Sequence, residues 1–219
     1  MQYASQGAPA RETSLARPSL NRYAAPVRKL IWMISVSVDG YMEGPGREID
    51  WHMVDEELFA HLTGWLAGAG GFLEGRVTYE LMAQYWPTAD EDPGATPAVA
   101  QFAQIWRDMP KVVYSRTLER AAWNAVVVHD VVPAEVMALK AQPGGDLIIG
   151  SSNLAAEFAR HDLIDEYRLY VHPVVIGRGT PMLRPSDVKV PLRMAETRTF
   201  GNGVVMLRYE RRPVGPAGG

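Results

Sequence analysis

The sequence predicts a mixed α/β domain: a mostly parallel sheet with helices on both faces and an antiparallel hairpin at its C-terminal end. Three observations carry this expectation. From Lys29 onward, short β-branched apolar runs alternate with amphipathic stretches, the strand–helix–strand order of parallel sheets. The first run, Leu30–Val38 (LIWMISVSV), is apolar at both alternations over most of its length, as a strand buried on both faces is. Near the end, Val190–Thr199 and Gly203–Arg211 flank Phe200-Gly201-Asn202, which reads as a hairpin.

The elements follow in order. Asp39-Gly40 closes the first strand with a turn. Asp55–Ala67 carries a helical stripe of Leu58, Phe59, Leu62, Trp65 and Leu66, with Asp55 placed as its cap. Gly70–Glu74 is a short strand and Arg76–Tyr85 a helix ended by Trp86-Pro87. Asp90–Pro97 reads as loop and Ala98–Asp108 as helix. Lys111–Tyr114 and Ala125–His129 are strands, and Pro133–Ala141 is a helix with proline in its first turn. Asp146–Ile149, Ser151–Arg160 and Glu166–Val171 are read as strand, helix and strand.

Composition excludes several classes of function. The 219 residues contain no cysteine, which removes disulfides, thiolate catalysis and Cys-ligated zinc or iron–sulfur centres. The formal net charge of −3 is too balanced to suggest a nucleic-acid partner, and no apolar run is long enough to span a membrane. A soluble, cytoplasmic protein is expected. Residues 1–28 carry four Arg, one Glu and three Pro without periodicity or a signal-peptide core, so they read as a disordered or arm-like extension. The domain then spans 29–211, and 212–219 reads as a frayed tail.

In an open parallel sheet, ligands bind at the carboxyl ends of the strands. Two strand-to-helix turns there have the composition of anion sites. Gly75-Arg76-Val77-Thr78 opens one helix and Gly150-Ser151-Ser152-Asn153 another; each sets small or hydroxylic residues where backbone N–H groups and the helix dipole attract an anion. Small and hydroxylic residues also suit turns for purely local reasons. Ser115-Arg116, just past a strand, offers a hydroxyl and a guanidinium suited to a terminal phosphate such as the 2′-phosphate of NADP. There is no G-x-G-x-x-G, Walker A, H-E-x-x-H or G-x-S-x-G. His52, His61, His129, His161 and His172 show no ligand spacing, so no metal is expected.

An ordered set of motifs between Lys29 and Arg211 resembles the dihydrofolate reductase-like proteins, in the branch related to the C-terminal reductase domain of the riboflavin-biosynthesis deaminase/reductase. The set comprises Ser35-Val36-Ser37-Val38-Asp39-Gly40, Gly75-Arg76-Val77-Thr78-Tyr79-Glu80, Lys111 to Leu118 (KVVYSRTL), Gly150 to Leu154, Leu163 to Tyr167 (LIDEY) and His172 to Gly177 (HPVVIG). The resemblance implies a dihydrofolate reductase-like fold, homodimers, and NADPH across the strand ends. Gly75, Arg76 and Thr78 would hold one side of the dinucleotide, Ser115 and Arg116 its 2′-phosphate, and Gly150, Ser151, Ser152, Asn153 and Leu154 the pyrophosphate. Ser35 and Met42 fall where the family's backbone meets the nicotinamide. No deaminase activity is expected of these residues, because a chain without cysteine cannot supply the zinc deaminase's P-C-x-x-C.

The expected activity is hydride transfer from NADPH to a small conjugated C=N or C=O compound such as a pterin or pyrimidinone. Asp39, Tyr41 and Trp51 are the candidate substrate contacts. Asp55 and Glu56 are the candidate proton donors, provided burial raises their pKa; Asp55 has the competing reading of a helix cap. The alternative function is an NADPH sensor or store without turnover, which needs the same turns but no proton donor.

Overall fold

The computed structural model describes residues 28–183 and 189–212. The extension read over 1–28 lies, apart from Arg28, outside the described residues, as does the tail beyond Arg212. Strand β1 (Leu30–Ser37) is the centre of the molecule. Leu30, Trp32, Ile34 and Val36 enter one apolar cluster, while Ile31 and Met33 belong to the opposite side. The period-2 alternation of a strand therefore builds two cores from one apolar run.

The chain then forms β2 (Tyr41–Glu43), helix α1 (Glu56–Leu66), β3 (Gly71–Gly75) and α2 (Arg76–Tyr85). A 3₁₀ helix (Trp86–Glu91) leads to α3 (Pro97–Asp108), β4 (Lys111–Tyr114), β5 (Ala125–Val128) and α4 (Pro133–Lys140). Next come β6 (Leu147–Ile149), α5 (Ser152–Arg160), β7 (Glu166–His172) and β8 (Thr180–Pro181). The hairpin β9 (Leu192–Thr199) and β10 (Val205–Arg211) ends the fold. Eight strands make one sheet in the order β5-β4-β3-β6-β1-β7-β10-β9. Its six strands from β5 to β7 run parallel, and β10 pairs antiparallel with both β7 and β9.

Val136 of α4 and Leu154, Ala155 and Phe158 of α5 cover one face. Leu66 of α1, Tyr79 of α2, and Phe102 and Trp106 of α3 cover the other. Leu58 joins Tyr170, Phe200, Val204 and Met206, which fastens α1 to the hairpin. The predicted class is thus the observed one.

Two segments differ from the sequence reading. Trp86–Glu91 is helical where loop was expected from Asp90, because Arg107 on α3 bonds Pro87 O at 2.9 Å and both Asp90 oxygens at 2.8 and 2.7 Å. That tertiary contact has no local signature. The pairing of β2 with β8 was also unread, since strands of two or three residues carry no periodicity.

Glu74 is a charge-bearing residue inside this core, 4% exposed on β3, with Oε2 finding no hydrogen-bond partner. Burial pushes its carboxyl up to about 7, against the opposing field of Lys111, whose ammonium donates to the carbonyls of Trp106, Met109 and Trp123. In the unfolded chain the same carboxyl ionises near 4.5, so between these values unfolding releases a proton and stability falls as pH rises. Glu74→Gln removes that slope. Measured by urea unfolding, the variant should gain roughly 2–3 kcal/mol on the wild type between about pH 5 and about pH 8; a constant difference would show that Glu74 ionises normally.

Candidate functional site

The parallel strands deliver their carboxyl ends to one edge of the sheet. Because β6 lies between β1 and β3, the turns after β3 and β6 are neighbours there. A Cβ added to Gly75 would meet Ser151 Oγ at 3.1 Å, and one added to Gly150 would meet the Thr78 methyl at 3.9 Å. These two turns and the end of β4 enclose a cleft of about 650 Å³.

Seven residues expected at the cofactor line this cleft: Gly75, Arg76, Ser115, Arg116, Ser151, Asn153 and Leu154. The other five lie outside its lining. Thr78 packs beside Gly150, and Ser152 is buried with its hydroxyl unpartnered. Ser35 lies within β1 opposite Tyr170, and Met42 packs against the apolar cluster that contains Leu154.

The two helices opening onto the cleft lack the usual cap. Gly75 and Ser151 are the N-cap residues of α2 and α5, and neither makes a side-chain capping bond. By contrast Asp55 caps α1 by accepting from Leu58 N at 2.9 Å, and Thr96 caps α3 through Val99 N. Helix N-termini leave their first N–H groups unpaired, so two of them facing one cleft present donors of the kind that suit an anion.

The charged side chains around it are more balanced than the sequence suggested. Arg76 pairs with Glu80, and Arg116 pairs through Nε and Nη2 with Asp130 Oδ1 at 2.9 and 2.5 Å. The Ser115 hydroxyl oxygen accepts from Thr117 N and Leu118 N at 3.2 and 2.9 Å, so it builds the turn that presents Arg116. His129, Asp130 and Glu157 also line the cleft and were not read as site residues. His129 Nδ1 lies 3.0 Å from Ser115 O, a contact made by strand pairing between β4 and β5. No sequence spacing marks it.

Further along the same edge, the candidate substrate residues take different roles from those expected. The Asp39 carboxylate accepts from Ile176 N at 3.2 Å and Gly177 N at 2.8 Å, and the Ser37 hydroxyl, followed by these two amides, holds its pKa below the usual range. It ties down the loop after β7. Gly40 follows at φ +84, the left-handed turn that glycine permits. Tyr41 is half-buried in β2 opposite Pro181. Asp55 and Glu56 are both exposed, and Asp55 spends a carboxylate oxygen on the cap of α1. Trp51 donates from Nε1 to Glu48 O at 3.2 Å and packs edge-on to His52 and His172.

The two histidines are the residues that sequence reasoning missed. His172 ends β7, in register with Ser37 at the end of β1, and is completely buried. Its ring stacks on His52, with centroids 5.0 Å apart and planes 15° apart. Burial and the neighbouring His52 bring His172 down to about 4, and burial lowers His52 as well. Both rings are therefore neutral at physiological pH. Among the described residues, no three His, Asp or Glu side chains gather as metal ligands do, and no helix is long and apolar enough to cross a membrane.

The model of the RibD C-terminal domain matches residues 28–206, spanning every element from β1 to β9 and the first two residues of β10. The chain belongs to that family. This RibD C-terminal domain chain is 34% identical over 186 residues to the uncharacterized protein YyaP of Bacillus subtilis, covering 83% of this chain and 94% of the relative. Among solved structures it is similar to a Shewanella sp. PV-4 protein named for riboflavin biosynthesis, with TM-score 0.65 and 19% identity over 84% of this chain and 99% of the other. It also resembles a dihydrofolate reductase from Enterococcus faecalis complexed with NADP(H), with TM-score 0.56 and 16% identity over 84% and 97% of the two chains. At such identities the likeness is one of fold: this RibD C-terminal domain has the dihydrofolate reductase-like architecture.

A prediction about Asp39 follows from its bonds. Asp39→Ala should speed amide hydrogen exchange at Ile176 and Gly177 and lower the melting temperature, while exchange at the turns after β3 and β6 stays unchanged. Unaltered exchange at both amides would return Asp39 to the list of candidate substrate contacts.

Proposed function

We propose that this RibD C-terminal domain protein is an NADPH-dependent reductase of a small conjugated heterocycle. The observation supporting this reading is the pair of uncapped helix N-termini, α2 and α5, that open with Arg76 and Arg116 onto one cleft at the carboxyl edge of the sheet. The N–H groups at Ser151 to Asn153 would hold a pyrophosphate, the turn at Gly75 the facing side, and Arg116 a 2′-phosphate. Bound there, NADPH supplies hydride from its dihydronicotinamide. The fit has one cost: Asp130 must release Arg116 to the phosphate or share it.

Fluorescence titration with NADPH and NADH tests binding, and loss of the reduced nicotinamide's absorbance with pterin, pyrimidinone and quinone acceptors tests turnover. The exposure of Asp55 and Glu56 favours a second reading, a sensor that binds NADPH without turnover. Tight binding with no acceptor consumed would select it.

Two variants probe the cleft. Arg116 is largely exposed and already paired, so its phosphate contact is worth about as much as a surface ion pair. Arg116→Ala should weaken NADPH by roughly two- to fivefold and leave NADH unchanged. Equal loss for both cofactors would place the 2′-phosphate elsewhere. Asn153 is exposed in the first turn of α5, which makes it a cleaner charge probe than buried Ser152. Asn153→Asp should weaken both nucleotides while slightly raising the melting temperature, because an acid favours a helix N-terminus but repels a phosphate there. Unchanged affinity would remove the pyrophosphate from this turn.

A further inference from the structure

Two buried imidazole nitrogens have no hydrogen-bond partner among the described residues: Nε2 of His52 and Nε2 of His172. Buried polar atoms are seldom left in this state, and each such atom in a folded protein needs a physical account. The tautomers can be assigned from the other nitrogens. Met53 N donates to His172 Nδ1 at 3.0 Å, so in the neutral ring the proton is on Nε2 and that atom is a donor. The Met42 backbone favours a proton on His52; with Nε2 unpartnered we place it on Nδ1, which leaves Nε2 a lone-pair acceptor. The stacked pair therefore holds one free donor and one free acceptor, both desolvated.

Their place in the fold gives them a use. His172 and Ser37 end neighbouring parallel strands, on the edge whose next strands, β6 and β3, carry the cofactor cleft. Trp51 covers both rings edge-on from a segment, Pro45 to Val54, whose residues are mostly exposed. Only a few contacts hold that segment to the body, among them Met53 N to His172 and Asn202 Nδ2 to Met53 O at 2.7 Å.

We propose that His52 and His172 form the polar half of the substrate site, giving complementary hydrogen bonds to a ring ligand that carries an N–H beside a C=O or C=N, with Trp51 as the cover that moves to admit it. His172 supplies Nε2–H to the ligand's carbonyl or imine, and His52 Nε2 accepts the ligand's N–H. Both stay neutral, as a neutral imidazole serves best when it polarises a carbonyl without transferring charge. This assignment rests on the reductase reading, and it moves substrate recognition from Asp39 and Asp55 to a pair that no spacing in the sequence joins.

The test uses the full chain saturated with NADPH. Pterin and aminouracil are titrated while the imidazole nitrogens of His52 and His172 are followed by long-range proton–nitrogen NMR. Both Nε2 resonances should shift on binding, and ring-N-methylated counterparts of the two probes, which lack the N–H, should bind about tenfold more weakly. His52→Phe and His172→Gln should lose a similar factor in probe affinity while NADPH affinity, the control for folding, is unchanged. Failure of both probes to bind, binding that leaves both Nε2 resonances unmoved, or equal binding of the methylated compounds would overturn the assignment. So would a slowly exchanging water that bridges the rings and persists in the complex. If NADPH itself does not bind, the reductase reading fails instead, and the same titration on the cofactor-free chain decides the histidine pair separately.

Discussion

The insertion of β6 between β1 and β3 is the constraint on which the rest of this structure depends. Strand β6 has three residues, all buried, and pairs in parallel with a neighbour on each side. Its hydrogen bonds set the heights of β1 and β3 along the sheet, so two turns far apart in the chain come to lie side by side. A Cβ at Gly75 would come within 3.1 Å of Ser151 Oγ, so glycine lets the two turns approach closely. Packing density at one junction thus decides that two helix N-termini share one cleft.

Electrostatics in that cleft run against each other. The helix N-termini favour an anion, and the missing caps leave their N–H groups available. The side chains add little net charge, because Arg76 and Arg116 each have a carboxylate partner and Glu157 lies nearby. Main-chain groups would be the main source of affinity for an anion here. They are fixed by the fold and need no reorganisation, whereas exposed arginine pairs are weak and screened by salt.

The other end of the edge is built on different physics. Around His172 the groups are neutral, buried and aromatic, and Trp51, His52 and His172 pack face-to-edge and face-to-face. Such a cluster orients hydrogen bonds without carrying charge. It also sits where exposed chain meets rigid sheet, since one contact of the Pro45–Val54 segment with the body runs through His172 itself.

Much of the fold was legible in the sequence because its causes are local. The apolar alternation of Leu30–Ser37 requires a strand buried on both faces, Pro133 opens a helix, and Phe200-Gly201-Asn202 turns a hairpin between two β-patterned runs. Helix α2 keeps its predicted bounds because glycine precedes it and Trp86-Pro87 ends it. The turns at Gly75, Ser115 and Gly150 were legible for the same reason: small and hydroxylic residues at strand ends announce an open helix start or a tight turn. What each polar side chain does there was decided only by tertiary structure. Asp39 binds a backbone segment from beyond β7, Arg116 meets Asp130 across a strand pair, and Asp55 stays exposed as a cap. His52 and His172 come together only because β7 pairs with β1 and the loop after β2 folds back over both. Hydrogen bonds and stacking act between atoms a few ångströms apart, and the order of residues along a chain does not record which strands will bring them there.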